Sequence, residues 1–387
     1  MLEKSKVAVI KCEQYDCNEV IQAVRRGIDL IGSIPAIFGD IREKILLKPN
    51  ALSGKAPEKC VTTHPEVFRA VATVLKEASI ELQYGDSPGV GRVAGVMSKI
   101  GIKQVADELD IPLADFENGE FVSFPDGYRI KQFKIADGVR DCNAIVSLPK
   151  LKSHGLTRMT GAVKNQFGCI PGFNKPEFHV KLPNVADFSE MLVDLNLLLK
   201  PKLFIMDAIQ SMEGNGPGSG EPVNTGFLLF STDPIAIDTV ACLLVNIQPD
   251  KVLTNTIGTE RGLGTGEVAN IEILGDNWRE MVRKDFDIDR GPRLASKSSW
   301  KYSLLRQLLT SKPVIDDKLC RRCNLCVEQC PVTPKALSWK NEDHKNPPVY
   351  DYSLCIRCYC CQEICPYGAI YNRSPLLRKI LDVIYPF

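Results

Sequence analysis

The chain has 387 residues, of which 44% are apolar, and its formal net charge is +1. This length and apolar content can bury a sizeable core. The balanced charge excludes a strong field for attracting nucleic acid or an anionic membrane, and four histidines are too few for a histidine-built metal centre.

The first residues include the charged side chains of Glu3, Lys4 and Lys6, where a secretory signal would be apolar. No apolar run reaches the roughly 18 residues that suggest a membrane span. We therefore expect a cytoplasmic protein with no membrane span and no nucleic-acid partner. Reducing conditions also agree with the cysteines scattered through the first 242 residues, because such thiols are commonly buried and free.

Up to about residue 276, short runs rich in Val, Ile and Leu alternate with stretches at helical spacing, a pattern typical of a parallel α/β sheet. The predicted strands are Lys6–Ile10, Lys44–Leu47, Ile80–Tyr84, Ala144–Leu148, Leu203–Met206 and Phe227–Phe230. The predicted helices are Glu19–Ile31, Pro65–Glu77, Val185–Leu199 and Pro234–Val245. Residues 121–135 alternate like an antiparallel excursion, which would make the mostly parallel sheet mixed, with helices on both faces.

Polar residues follow the predicted strands or lie in two glycine-rich loops, and in open α/β sheets ligands bind beyond the carboxyl ends of the strands. The candidates for binding a ligand or cofactor are Lys48, Asn50, Ser87, Lys150, Lys152, Lys164, Asn165 and Asn215. Lysines in such positions favour a small anionic ligand, either a phosphate or a carboxylate, with Lys150 and Lys152 as the strongest contributors. The alternative for these lysines is simple solvation at the surface.

Three further residues are candidates for chemistry at the same edge. His154 is a candidate general acid, although a hydrogen-bonded structural histidine is the alternative. Asp86 and Asp207 could gather around a metal or pair with the lysines. Asp233 precedes Pro234, and we expect it to cap the following helix.

After residue 276 the periodicity weakens, and basic residues outnumber acidic residues up to residue 312. We interpret residues 277–312 as a connector with a solvated surface, since charge runs are usually solvated rather than docking patches. Residues 374–387 form a tail, and over residues 375–387 we expect a short helix that packs the small domain at 313–373 onto the larger domain.

Between the connector and the tail, residues 313–373 contain two copies of one cysteine pattern. The eight cysteines are Cys320, Cys323, Cys326 and Cys330, followed by Cys355, Cys358, Cys361 and Cys365. This spacing is typical of a small α+β ferredoxin domain of the bacterial type with two 4Fe-4S clusters, in which the fourth cysteine of each run ligates the other cluster. We therefore assign Cys365 to the first cluster and Cys330 to the second. Zinc sites and disulfide frameworks fit the duplicated run less well.

Five stretches of the larger domain resemble the DUF362 family. They are Lys-Pro-Asn at 48–50, Gly-Asp-Ser-Pro-Gly at 85–89, Pro-Lys-Leu-Lys-Ser-His-Gly at 149–155, Gly-Ala-Val-Lys-Asn-Gln-Phe-Gly at 161–168 and Met-Glu-Gly-Asn-Gly-Pro at 212–217. Members of this family often end in a 4Fe-4S ferredoxin domain. The resemblance implies the domain content, iron–sulfur binding and electron transfer, and it implies no particular substrate.

The sequence is consistent with three functions. The first is an oxidoreductase that passes single electrons from two 4Fe-4S clusters to an anionic ligand or partner, with a redox partner protein or low-potential donor supplying them. The second is a maturation factor that binds a ligand or client protein and carries redox or structural clusters. The third is a metal-dependent hydrolase or transferase beside structural clusters.

Overall fold

The computed structural model describes residues 4–172, 174–291, 310–341 and 344–375. Half of the predicted connector and nearly all of the predicted tail lie outside the described residues. We call residues 4–291 the sheet unit and residues 310–375 the cysteine unit. Every described helix is too short or too polar to cross a membrane.

The strands have the following bounds. They are β1 (Ser5–Lys11), β2 (Ile45–Pro49), β3 (Leu82–Tyr84), β4 (Gly119–Ser123), β5 (Gln132–Ala136), β6 (Ala144–Leu148), β7 (Lys150–His154), β8 (Arg158–Thr160), β9 (Leu203–Glu213), β10 (Glu221–Ser231), β11 (Ile271–Gly275), β12 (Lys312–Ile315), β13 (Leu337–Ser338), β14 (Val349–Tyr350) and β15 (Ile370–Arg373).

The helices have the following bounds. They are α1 (Cys17–Ile31), α2 (Ser33–Phe38), α3 (Pro65–Glu77), α4 (Val93–Lys99), α5 (Ile102–Glu108), α6 (Asp137–Arg140), α7 (Ala162–Asn165), α8 (Asn174–Lys181), α9 (Val185–Leu199), α10 (Pro234–Leu244), α11 (Leu253–Glu260), α12 (Leu325–Glu328) and α13 (Cys360–Glu363). Short 3₁₀ helices cover Pro57–Lys59, Gln166–Cys169, Pro249–Lys251, Val268–Asn270 and Trp278–Met281.

Nine of the described strands form one mixed sheet. Its main path runs β11-β1-β10-β9-β6-β2-β3, and β7 pairs with both β8 and β9. Strands β1, β2, β3, β6, β9 and β11 pair in parallel along this path, whereas β10 is antiparallel to both of its neighbours. The α/β fold with a mixed sheet is thus confirmed, but the source of the mixing differs from the prediction, because β4 and β5 form a separate hairpin.

Alternation along the central strands explains why helices cover both faces of the sheet. On β1, Ala8 and Ile10 point into one core, whereas Val7 and Val9 point into a second core. Buried residues of α1, α3 and α9 belong to the first core, and most of the buried residues of α10 belong to the second. Successive side chains of a strand face opposite sides, so a strand with an unbroken apolar run needs cover on both.

Local signals set several helix boundaries. His64 accepts a hydrogen bond from the backbone N–H of Glu66 at the start of α3, where Pro65 is the first helical residue. Asp233 accepts hydrogen bonds from Ile235 and Ala236, so it caps α10 as expected. Helices α3 and α9 have the predicted bounds.

Two boundaries differ from the sequence-based expectation. Residues 150–154, which were placed beyond the end of a strand, form β7 because the backbone continues beside β9. The predicted start of the connector at residue 277 is too early, since Phe286 and Ile288 are buried in the second core.

The cysteine unit is a small pseudo-repeat that is consistent with the predicted ferredoxin-like α+β fold. Strand β12 pairs antiparallel with β15, and β13 pairs antiparallel with β14. One short helix, α12 or α13, follows the second cysteine of each run.

Candidate functional site

The cysteines predicted for the first cluster lie together. Cys320, Cys323, Cys326 and Cys365 line one cavity of about 20 Å³ in the cysteine unit. The backbone N–H of Ala369 donates a hydrogen bond to Cys365 Sγ at 3.3 Å. The chain therefore returns the last cysteine of the second run to the first three, as the crossover assignment requires.

The second set shows the same neighbourhood. Burial raises the pKa of the Cys355 thiol, and its neighbours Cys358 and Cys330 raise it further. The hydroxyl of Tyr350 lies 3.3 Å from Cys361 Sγ. Cys330 is thus close to the second run, while Cys365 has joined the first.

The number and grouping of these thiols match two clusters. Among the described residues, no group of three or more His, Cys, Asp or Glu side chains converges closely enough to hold one metal ion. A zinc ion would need four ligands at about 2.0–2.3 Å. Each set supplies the four thiolates that one 4Fe-4S cluster needs.

Helix α13 connects the cysteine unit to the sheet unit. Gln362 Nε2 donates to the backbone oxygen of Asn215 at 2.7 Å and to that of Gly216 at 3.1 Å. Asn215 Nδ2 in turn donates to the carbonyl of Ile370 at 2.8 Å. A Cβ on Gly218 would overlap the carbonyl oxygen of Glu363. Asn215, predicted to bind a cofactor, is therefore part of the interface between the units.

A cavity of about 110 Å³ lies between the two units, and we call it the interface cavity. Five predicted site residues line it: Asn50, Asp86, Ser87, Lys164 and Asn165. The cysteine unit contributes Gln329, Cys360, Glu363 and Ile364. The structure thus brings about half of the predicted ligand and catalytic residues of the sheet unit to one place.

Lys48 neutralises Asp86 at the wall of this cavity. Lys48 Nζ lies 2.8 Å from Asp86 Oδ1, and both side chains are almost fully buried. Asp86 Oδ2 also accepts a hydrogen bond from the backbone N–H of Ala51 at 2.7 Å. A Cβ on Gly168 would overlap Asp86 Oδ1, so only glycine fits there. Of the roles predicted for Asp86, pairing with a lysine is the one its geometry supports.

Lys150 and Asp207 form a separate buried network. Lys150 Nζ lies 2.8 Å from Asp207 Oδ2 and 2.8 Å from the hydroxyl of Tyr15. Tyr15 donates to Asp207 Oδ1 at 2.9 Å, and its ring stacks on His64 at 3.6 Å. Neither Lys150 nor Asp207 lines the interface cavity. The charge of Lys150 is already compensated, which argues against its predicted role as a main anion ligand.

Lys152 lies behind the cavity wall. Its Nζ donates to Asn50 Oδ1 at 2.8 Å and to the carbonyl of Val61 at 2.6 Å. Asn50 Nδ2 then donates to Asn165 Oδ1 at 3.1 Å. Burial, followed by the charges of Lys164 and Lys150, lowers the pKa of Lys152 to about 7. Lys152 therefore orients Asn50, rather than lining the cavity as an anion ligand would.

His154 also influences the cavity indirectly, through its neighbour Glu363. Its Nδ1 accepts hydrogen bonds from the backbone N–H groups of Leu156 and Thr157 at 3.0 and 3.3 Å, so the proton resides on Nε2. Nε2 lies 3.0 Å from Glu363 Oε1, although the two are not aligned as a hydrogen bond. Burial and the charge of Lys164 lower the pKa of His154 to about 4. A neutral histidine then faces an ionised Glu363 near physiological pH.

Two polar side chains of the sheet unit that line the cavity, Lys175 and His179, were not among the predicted site residues. Lys175 Nζ donates to the carbonyls of Ser87 and Pro88, the latter at 3.1 Å. His179 stacks on Phe188 with ring centroids 4.6 Å apart, and its buried Nδ1 has no hydrogen-bond partner. The spacing of four residues between Lys175 and His179 places both on one helix face, and this was the available signal.

Lys164 is the least compensated cation of the cavity. It makes no hydrogen bond or ion pair with any described residue, and its Nζ lies 5.9 Å from the ring centroid of Phe167. Burial lowers its pKa, whereas Glu363 and Cys360 raise it. Asp86 is paired with Lys48, so Glu363 is the remaining carboxylate that faces Lys164 and Lys175.

Two protein-family models match the chain. One, described as a domain of unknown function named DUF362, matches residues 45–243. The other, described as a 4Fe-4S dicluster domain, matches residues 312–373. The first match contains all of the predicted polar site residues, and the second contains the eight cysteines.

The chain also resembles individual proteins. A thylakoid-associated protein from Synechocystis sp. is 31% identical over 310 residues, which cover 78% of this chain and 95% of that protein. The lactate racemase apoprotein from Thermoanaerobacterium thermosaccharolyticum is similar with a TM-score of 0.38 and 13% identity, over 60% of this chain and 55% of that chain. A structural-genomics protein from Thermotoga maritima has a TM-score of 0.34 and 12% identity, over 58% and 57% of the two chains. The chain spans little more than half of each solved structure, and no functional conclusion follows from similarity at this level.

Proposed function

This chain belongs to the DUF362 family and carries a 4Fe-4S dicluster domain, and from that premise we propose that it is an iron–sulfur oxidoreductase. In this proposal it passes single electrons from two 4Fe-4S clusters to an anionic ligand or partner at the sheet unit. When bound, the clusters supply the one-electron chemistry that side chains lack.

The observation that supports this proposal is the double role of one short segment. Cys358 and Cys361 are predicted ligands of the second cluster, and between them Cys360 lines the interface cavity. Glu363, two residues after Cys361, lines the same cavity. The predicted cluster ligands are therefore adjacent in the chain to the cavity wall, and a ligand held there would be a close electron acceptor.

The side chains around the cavity have distinct tasks in this proposal. Lys164 and Lys175 attract and orient the ligand, and Asp86, through Lys48 and the backbone N–H of Ala51, holds the ends of β2 and β3 together at the cavity wall. Phe167 and Ile364 exclude water from the walls. A low-potential donor protein would supply the electrons from outside.

The location of the protein is a separate proposal. We propose a cytoplasmic location, and the relative named as thylakoid-associated makes attachment to a membrane surface the alternative. Cell fractionation followed by immunodetection would separate the two.

The test uses the anaerobically purified full chain. We expect about eight irons and eight acid-labile sulfides per chain, and reversible one-electron reduction without loss of iron. Cys330→Ala should damage the cluster held by Cys355, Cys358 and Cys361, and electron paramagnetic resonance should show the other cluster intact. Cys360→Ala is the matched control, and it should retain about eight irons.

Two results would argue against this proposal. Damage confined to the cluster held by Cys320, Cys323 and Cys326 would contradict the crossover. Clusters that lose iron whenever they are reduced would argue against electron transfer and favour structural clusters in a maturation factor.

A further inference from the structure

The interface cavity lies between the two units, and polar side chains form part of its wall. A volume of roughly 10–15 Å³ is enough for one water molecule. The cavity's volume of about 110 Å³ therefore admits a polyatomic ion. Residues of the sheet unit line one side of this cavity. Residues next to the predicted cluster-ligating cysteines line the other side.

Three groups with unused hydrogen-bonding capacity converge on this cavity. Lys164 makes no hydrogen bond with the described residues, so its three N–H groups remain to be satisfied. Lys175 uses its ammonium group on two carbonyl oxygens, which leaves one N–H group for a ligand. His179 is 6% exposed, and its Nδ1 has no partner. Buried polar groups without partners are rare and usually indicate a missing ligand or water.

The charges favour an anion over a cation. Asp86 is neutralised by Lys48 at 2.8 Å, so its carboxylate does not attract a cation into the cavity. Glu363 is then the one uncompensated carboxylate among the described lining residues, and it faces two ammonium groups. An anion would compensate the second ammonium group, because hydrogen bonds between charged groups are stronger than those between neutral groups.

We propose that the interface cavity binds a small oxyanion, a free phosphate or carboxylate or the corresponding group of a small molecule, held by Lys164, Lys175 and His179. This inference rests on the proposed function and deepens it by naming the ligand class and its binding residues. It assigns the anion to Lys164 and Lys175 instead of Lys150 and Lys152. The residues that hold the ion belong to the sheet unit, and Glu363 of the cysteine unit lines the same cavity.

The first experiment measures binding by isothermal titration calorimetry under anaerobic conditions, with inorganic phosphate in one arm and acetate in the other. We expect saturable binding of about one ion per chain in at least one arm. Lys164→Gln should weaken it about tenfold to a hundredfold, since a hydrogen bond to a charged group is lost. The matched control is Lys181→Gln, which changes an exposed lysine of α8 that pairs with Glu177 at 3.2 Å. The control should bind like the unmodified chain.

The second experiment uses a variant that is expected to raise the affinity for the anion instead of lowering it. Glu363→Gln removes the one uncompensated carboxylate, so the same anion should bind about threefold tighter or more. Iron content checks that the clusters are retained. If Lys164→Gln loses iron, Lys175→Gln replaces it in the comparison.

Each outcome of the titrations has a distinct meaning. Binding in the phosphate arm alone identifies a phosphoryl group, and binding in the acetate arm alone identifies a carboxylate. No saturable binding in either arm, or unchanged affinity in a folded Lys164→Gln or Lys175→Gln variant, overturns the inference. No electron donor is present, so failure of electron transfer leaves this result standing, and failure of anion binding leaves electron transfer to another acceptor standing.

Discussion

Lys150 and Lys164 carry the same charge on the same unit, yet their surroundings give them different roles. The ammonium group of Lys150 contacts a carboxylate and a hydroxyl within 2.8 Å. The ammonium group of Lys164 contacts an aromatic ring, and no carboxylate within ion-pair distance among the described residues. Lys150 is committed to a buried pair, in which removal of either partner would leave an uncompensated charge, whereas Lys164 remains available to a ligand.

The pH dependence of anion binding follows from Lys175. Burial lowers its pKa to about 7, Asp86 raises it, and Lys48 and Lys164 lower it further. Lys175 is therefore charged below pH 7 and mostly neutral above pH 8. Lys152, with a pKa also near 7, changes in the same direction. Calorimetry with sulfate, which does not titrate in this range, should show affinity falling about tenfold from pH 6 to pH 8.5.

The control for this prediction is Lys175→Met. This variant should bind sulfate more weakly at pH 6, and its affinity should change less with pH. An affinity that rises with pH in the unmodified protein would rule out the assignment, because the sign depends on loss of a positive charge.

At the scale of elements, α7 is positioned by a distant helix. Asp238 on α10 accepts hydrogen bonds from the backbone N–H groups of Ala162 and Val163 at 2.6 and 3.1 Å. A Cβ on Gly161 would overlap this carboxylate. Burial raises the pKa of Asp238 to about 7, although the two N–H groups lower it. Asp238 thus caps the turn of helix that carries Lys164.

Asp238→Ala should therefore destabilise the protein and weaken anion binding together. Two buried N–H groups lose their acceptor, and each such loss costs about 1–3 kcal/mol. Urea unfolding measures the stability, and calorimetry with phosphate measures the binding. Asp29→Ala removes an exposed carboxylate of α1 and should change the stability by less than about 0.5 kcal/mol. A stable Asp238→Ala variant with normal binding would show that α7 is held by other contacts.

At the scale of the whole molecule, the two units meet without room for extra atoms. Gly218 lies against the backbone of Glu363, and Gly155 lies against the side chain of Asn372. Ser219 donates a hydrogen bond across this boundary to Cys365 O at 3.3 Å, and within the sheet unit Lys55 donates to Gly218 O at 2.5 Å. The interface cavity exists only while this contact is intact.

Gly218→Ala should separate the units because its Cβ would overlap a backbone oxygen that cannot rotate away. We expect about eight irons to be retained, faster hydrogen exchange in α13 and loss of phosphate binding. Gly95→Ala is the matched control, since a Cβ on Gly95 would meet no atom within 4 Å. Normal exchange and normal binding in Gly218→Ala would show that the interface can relax, and would remove the geometric basis of this prediction.

The sequence alone determined the features that depend on neighbours along the chain. Cluster ligation is encoded in cysteines separated by two or three intervening residues, and the boundaries of α3 and α10 follow from a capping residue directly before a proline. Alternating apolar runs likewise predicted most strands of the sheet. The same reasoning identified Asn50, Asp86, Ser87, Lys164 and Asn165, because strand ends and glycine-rich loops are recognisable locally.

Only the tertiary structure decided which of these residues face a ligand. Lys48 meets Asp86, Lys150 meets Asp207, and the cavity near Lys164 is closed by Glu363 from the other unit. Sequence spacing carries no information about these partners, since Coulomb interactions depend on distance in space. The cavity itself, with Lys175 and His179 in its wall, arises where the sheet unit packs against the cysteine unit. The sequence pattern of one unit does not predict the surface of the other.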